Sequence, residues 1–266
     1  MSELLDHAAT SDDRISRSGP AVLATMIGRS VRLSSRNIEA LLTSLVLPVM
    51  IMLMFVYLFG GAISTGTAYV TYVVPGVMLL CVCFGSATTA VTVSTDLTGG
   101  IVDRFRSMDL GGASVLAGHV TASVLRNGAS TAIVVAVAVA FGFRPQADPL
   151  HWVAAMGVLA VFVTALSWAS AAIGVVAGSP EAANGFAFFA MFISYPSSAF
   201  VPIDTMPTWM QGFARHQPVT QVVESVRGIL LGRPAGAYVW SAIAWSVGLT
   251  AVSVLASALL FRRRTR

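Results

Sequence analysis

The chain has 266 residues, 56% of them hydrophobic and 11% charged, whereas an ordinary soluble domain carries about 25% charged residues. With a mean hydropathy of +0.78 and apolar residues in long blocks almost free of charge, it reads as an all-α integral membrane protein, and a soluble globular fold is excluded. The net charge is +4 and every one of the 16 basic residues is Arg, so the Lys of a phosphate-binding P-loop and the amine of a Schiff-base enzyme are both missing.

Residues 1–20 are polar and poor in bulky apolar side chains, and they read as a disordered cytoplasmic tail. They hold no apolar signal-peptide core, so the first span is expected to act as the targeting signal. Over 21–37, Leu23, Ile27 and Val31 gather on one side at helical spacing and Arg29, Arg32 and Arg36 on the other. That pattern predicts an amphipathic helix lying at the membrane interface. Six spans follow within a transmembrane domain of residues 38–261, at about 38–59, 69–93, 120–141, 152–177, 184–200 and 238–261. A basic tail, 262–266, closes the chain. With both termini cytoplasmic, eleven Arg lie on inner segments and four (Arg144, Arg215, Arg227 and Arg233) on outer ones, which satisfies the positive-inside rule.

Two segments do not span. Between spans two and three, 95–119 carries Asp96, Asp103, Arg104, Phe105, Arg106 and Asp109, punctuated by Gly99, Gly100, Gly111 and Gly112. It is expected to be an inner loop with helical stretches between glycine breaks. Between spans five and six, Val219, Val222, Val223, Val226, Ile229 and Leu230 recur at helical spacing, started by Pro218 and stopped by Gly232 and Pro234. A helix of this length reaches only about 20 Å, so re-entrant helices dipping into the outer leaflet are expected. Trp209 and Phe213, four apart just before it, suit an interfacial anchor. Glu224 and Arg227, three apart, are expected to pair locally at the surface.

Catalytic and metal chemistry find no pattern. His7, His119, His151 and His216 are far apart and lack companions at metal-ligand spacing. Cys81 and Cys83 are two apart in an apolar block and point in different directions on a helix. Glu39 and Arg126 are the ionisable residues within spans, each read as snorkelling to an interface. Uncharged polar residues are frequent instead. Ser86 and Thr89 in span two, and an aromatic stripe of Phe188, Phe192 and Tyr195 in span five, are candidates for lining a pathway, with helix packing or a lipid-facing or partner-facing surface as the alternatives. Gly174 and Gly178 form a small-xxx-small pair in span four.

In their order and spacing, 72–76 (YVVPG), 100–108 (GIVDRFRSM), 114–119 (SVLAGH), 142–145 (GFRP), 197–220 (SSAFVPIDTMPTWMQGFARHQPVT) and 226–232 (VRGILLG) make the chain resemble the type-2 ABC-transporter permeases, in particular the daunorubicin-resistance-like branch. It departs from that pattern at Asp109, where Pro is usual, and at His119, where Arg is usual. The resemblance implies one membrane half of an exporter, paired with a second copy or a paralogous permease in a bacterial plasma membrane. Each half would rest on a separate ATP-binding subunit that holds the ATP and Mg. It implies that Asp96, Asp103, Arg104, Phe105, Arg106 and Asp109 belong to a coupling loop on that ATPase, braced by the helix of Arg29, Arg32 and Arg36. The chain itself would bind no cofactor and no nucleic acid, and would meet membrane lipid and a small hydrophobic or amphipathic substrate. A secondary carrier or channel, and a lipid-modifying membrane enzyme, are the alternative readings; transport by the lone chain on an ion gradient, or activity without nucleotide, would mark them.

Overall fold

A computed structural model describes residues 27–28, 31–32, 38–63, 68–99, 112–192 and 194–264. The tail expected over 1–20, most of the expected interfacial helix and residues 100–111 of the expected inner loop lie outside them. Ile27, Gly28, Val31 and Arg32 are helical, with Arg32 exposed and Ile27 half-buried.

Helix α1, Ile38–Met54, runs on through a π-helical turn, Phe55–Phe59. Then come α2, Tyr69–Thr98, α3, Gly112–Ala140, and α4, Pro149–Val176. The short α5, Pro180–Phe192, leads through turns at 194–200 and a 3₁₀ turn, Ile203–Thr205, to α6, Thr208–His216. Helix α7, Pro218–Leu230, precedes the last, α8, Gly236–Arg264. Among the described residues, α2, α3, α4 and α8 are long and apolar enough to cross a membrane. The chain is a multi-pass membrane protein.

Helix α2 is the centre of the bundle. Its first half is apolar on every side, which suits a helix with neighbours all round. It packs against α1, α3, α4, α5 and α7. Of its most apolar stretch 78% is buried, against 17% for α8, which leans on α4 and α7 at the edge. Met52, Val73, Val77, Leu80, Val134, Phe162, Val222 and Val226 join five helices in one core. Val93, Leu116, Val120, Ala171 and Val175 form a second cluster toward the other end of α2.

Helix ends follow local chemistry. Asp148 accepts the backbone N–H of His151 at 2.8 Å, with Pro149 at the first helical position of α4. That N–H holds the Asp148 carboxyl below the ordinary carboxylate range, with the His151 ring adding to it. The Ser179 hydroxyl accepts the Ala182 N–H at 3.2 Å and caps α5. At the end of α7, Gly232 adopts φ +63° and the Arg233 N–H reaches Gly228 O at 2.8 Å. This is the left-handed stop that Gly permits.

Two stretches differ from the sequence reading. Helices α2 and α3 run past the span ends expected at about 93 and 120, as far as Thr98 and from Gly112, in keeping with the helical stretches expected in that segment. Gly99 stands at the C-cap of α2, its N–H on Thr95 O at 2.8 Å. The fifth span, expected over 184–200, is helical only to Phe192. Pro196 disfavours helical geometry at Tyr195, and Ser197 turns its hydroxyl onto Ser194 O at 2.6 Å.

Close helix approach rests on glycines. A Cβ on Gly76 would collide with Ala199 O and sit 2.8 Å from Ala199 C and Cα, and one on Gly174 would sit 2.5 Å from Ala90 O and 2.9 Å from Val93 Cβ. A Cβ on Gly178, the other member of the predicted pair, would meet no neighbouring element within 4 Å. Gly76→Ala and Gly174→Ala are therefore expected to cost about 1–3 kcal/mol each, read as a lower midpoint of thermal unfolding in detergent. Gly248→Ala, with open space around it, is expected to cost nothing.

Candidate functional site

Three polar assemblies are strung along α2, from Tyr69 at its start to Asp96 near its end, over about 40 Å of helix.

At the start of α2 sits Arg227 of α7, only 2% exposed. Its Nε and Nη2 donate to Tyr72 O at 3.2 and 3.1 Å, Nη2 also donates to Ser198 O at 2.7 Å, and Nη1 bonds the Glu224 carboxylate. The guanidinium carbon lies 3.8 Å from the centre of the Tyr72 ring, within range of cation–π attraction. Tyr72 Oη donates to Ser198 O at 3.0 Å and Tyr69 Oη to Phe200 O at 2.8 Å. The Ser198 N–H donates to Thr220 Oγ1 at 3.3 Å, and the Gln217 amide donates to Pro196 O. Thus the Glu224–Arg227 pair, expected as a surface contact, is a buried knot tying α7 and the 194–200 turn to α2. The sequence showed the i, i+3 spacing but not the burial, because the two carbonyls that receive Arg227 come from residues 155 and 29 positions away.

Midway along α2, Arg126 of α3 turns inward. Its Nη2 donates to Gly85 O at 2.8 Å and Thr89 Oγ1 at 3.3 Å. The expected snorkelling is replaced by a bond to a helix carbonyl, which a guanidinium reaches without leaving the bundle. Beside it Asn127, fully buried, donates to Ser123 O at 2.9 Å and Ser123 Oγ at 3.3 Å, with Ser86 Oγ at 3.5 Å. The Ser167 hydroxyl of α4 donates to Ser123 Oγ at 2.9 Å. Gly85 is what lets Asn127 in, since a Cβ there would meet Asn127 Cγ at 2.8 Å. Such interhelical bonds are worth about 0.6 to 2 kcal/mol each.

Near the far end of α2, Asp96 Oδ2 and His119 Nε2 of α3 lie 3.1 Å apart. Asp96 is 7% and His119 5% exposed. The pair clamps α2 to α3, the helices on either side of residues 99–111.

Of the residues singled out from sequence, Ser86 and Thr89 are buried between helices and make the midway bonds. Phe192 is 52% exposed, and its ring centre lies 5.8 Å from that of Tyr195. The Phe188 side chain, Arg29, Arg36, Asp103, Arg104, Phe105, Arg106 and Asp109 lie outside the described residues. Cys81 and Cys83 are not joined in a disulfide, and Cys83 Sγ meets Ser194 Oγ at 3.3 Å.

The model of the ABC-2 type transporter family matches residues 21–231. The chain belongs to that family. The match opens at the start of the predicted interfacial helix and closes at the end of α7, so it takes in all three assemblies. The chain is 33% identical over 226 residues to the daunorubicin resistance ABC transporter permease protein DrrB1 of Streptomyces coeruleorubidus, covering 84% of this chain and 80% of that protein. It is 24% identical over 237 residues to the probable doxorubicin resistance ABC transporter permease protein DrrC of Mycobacterium tuberculosis, covering 86% of this chain and 84% of that one. This ABC-2 permease is the membrane subunit of a transporter, and ATP is hydrolysed by a separate ATPase.

Removing one member of a buried charged pair strands the other and its carbonyl partners, at about 3–5 kcal/mol. Arg227→Gln should therefore lower the unfolding midpoint sharply. Glu224→Gln, at a side chain 26% exposed, should cost less than half as much in the same measurement.

Proposed function

We propose that this ABC-2 permease exports a hydrophobic or amphipathic compound, of the kind represented by the daunorubicin and doxorubicin of its relatives' names, across a bacterial plasma membrane. The observation that carries this reading is the 33% identity with a daunorubicin resistance permease over most of both chains. In this reading the chain makes six passes with both termini cytoplasmic. Helix α1 with its π turn is 22 residues long, about 33 Å, and supplies the first pass; α5 with the packed 194–200 turn supplies the fifth. The eleven-to-four Arg asymmetry supports the orientation.

Two such chains, or this chain and a paralogous permease, face each other. Each rests on an ATP-binding subunit through the loop of Asp103, Arg104, Phe105, Arg106 and Asp109, rooted at the Asp96–His119 clamp. Conformational work requires a ligand with unequal affinity for two states, and ATP on the partner is that ligand. The alternating charges of the loop suit ion pairs that set register with a soluble partner. The apolar core around α2 and the scarcity of charge along the spans suit a cargo that itself partitions into lipid.

Arg104→Ala combined with Arg106→Ala is expected to cut ATP-driven daunorubicin uptake into inside-out vesicles at least tenfold, or to abolish co-purification with the ATPase; unchanged uptake and assembly would defeat the coupling assignment. For the orientation, Thr205→Cys should react with an impermeant maleimide on intact cells and Arg264→Cys only after permeabilisation. The reverse pattern would invert the topology.

A further inference from the structure

The outer end of α2, the 194–200 turn and α7 are joined by bonds of a different kind from those that hold α1. On the α7 side the contact is polar and charged. Arg227 is shared among Tyr72 O, Ser198 O and Glu224, with Tyr72, Tyr69, Thr220 and Gln217 adding hydrogen bonds to the turn. Gly76 brings the α2 backbone onto Ala199. Parting these elements would strip a buried guanidinium of its acceptors, in surroundings where lipid offers none.

On the α1 side the described contact is apolar. The Phe55 ring stacks on Phe200 with centroids 4.6 Å apart and 28° between the planes. Phe59 follows at 5.2 Å from Phe55, and Tyr195 lies 6.0 Å from Phe200 on the other side. Among the described residues no hydrogen bond joins 45–63 to the turn or to α7. Separating these rings exposes only apolar surface, which lipid or an apolar cargo can cover. Phe55 also opens the π-helical turn Phe55–Phe59, a local unwinding that recurs where helices serve a function. It is followed by Gly60 and Gly61, and α1 carries Pro48, so this end of α1 has the means to bend.

We propose that Arg227 is a positioning residue that makes α7, the 194–200 turn and the outer end of α2 one rigid unit, and that the outer mouth opens along the aromatic seam between Phe55 and Phe200. The inference rests on the export reading for its direction. It says which of two adjoining contacts parts during the ATP cycle. The turn travels with α7 and α2, and α1 swings away from it.

The test uses the permease in complex with its ATPase, with Cys81→Ala and Cys83→Ala as background, and two cysteine pairs oxidised with copper–phenanthroline. The seam pair is F55C with F200C, and the unit pair is S198C with T220C. Trapping with ATP and vanadate is expected to lower the seam disulfide yield at least fivefold and to change the unit yield by less than twofold. Oxidation of the seam pair should cut ATP-driven daunorubicin transport at least tenfold relative to the same variant reduced, with recovery in dithiothreitol. Oxidation of the unit pair should leave its own reduced rate unaltered within twofold. Adding Arg227→Gln should make the unit yield respond to ATP and vanadate, whereas a merely structural role would lower expression and leave the yield insensitive.

A unit yield that falls on trapping while the seam yield holds, two yields insensitive to nucleotide, or full transport with the seam locked would each overturn the proposal. Absence of daunorubicin transport in the reduced parent would instead count against the cargo reading, and the two disulfide yields would still decide the seam.

Discussion

A buried backbone that leaves the helix must find its hydrogen bonds within the protein, because a polar group left unpaired away from water is costly. In this chain the demand falls on residues 194–200, where α5 stops short and the carbonyls of Pro196, Ser198 and Phe200 turn away from helical partners. Gln217, Arg227, Tyr72 and Tyr69 meet them. Most of the fold's outer half follows. Arg227 must be buried to reach Ser198, so α7 must lie against α2. Gly76 must lack a side chain so that the turn can close on it.

The same requirement explains why α2 holds polar groups along its length without being a polar helix. Each sits where another helix offers a complement. Arg126 and Asn127 face Gly85, Ser86 and Thr89 midway, and His119 faces Asp96 near the end. Apolar clusters fill the intervals. A central helix tied at both ends and in the middle to different neighbours is suited to carry movement from one end of the bundle to the other.

Much of this was legible in the chain alone. The apolar blocks located α1 to α4 and α8, because a span must be long and nearly uncharged whatever its neighbours. Pro218 and Gly232 bounded α7 through local backbone chemistry. The candidate site was legible only in fragments. Ser86 and Thr89 were visible as polar residues in a span, but their bonds go to Arg126 and Asn127, some 40 positions away. Arg227 and Glu224 were visible as an i, i+3 pair, and burial reversed their meaning.

Composition and the order of short motifs determined the solvent, the class and the family, because hydrophobic length and charge asymmetry act residue by residue. Tertiary structure decided where α5 ends and which charges leave water. It also decided which joints are held by hydrogen bonds and which by rings alone. Those outcomes depend on partners distant in sequence, and no window along the chain contains both halves of the bond.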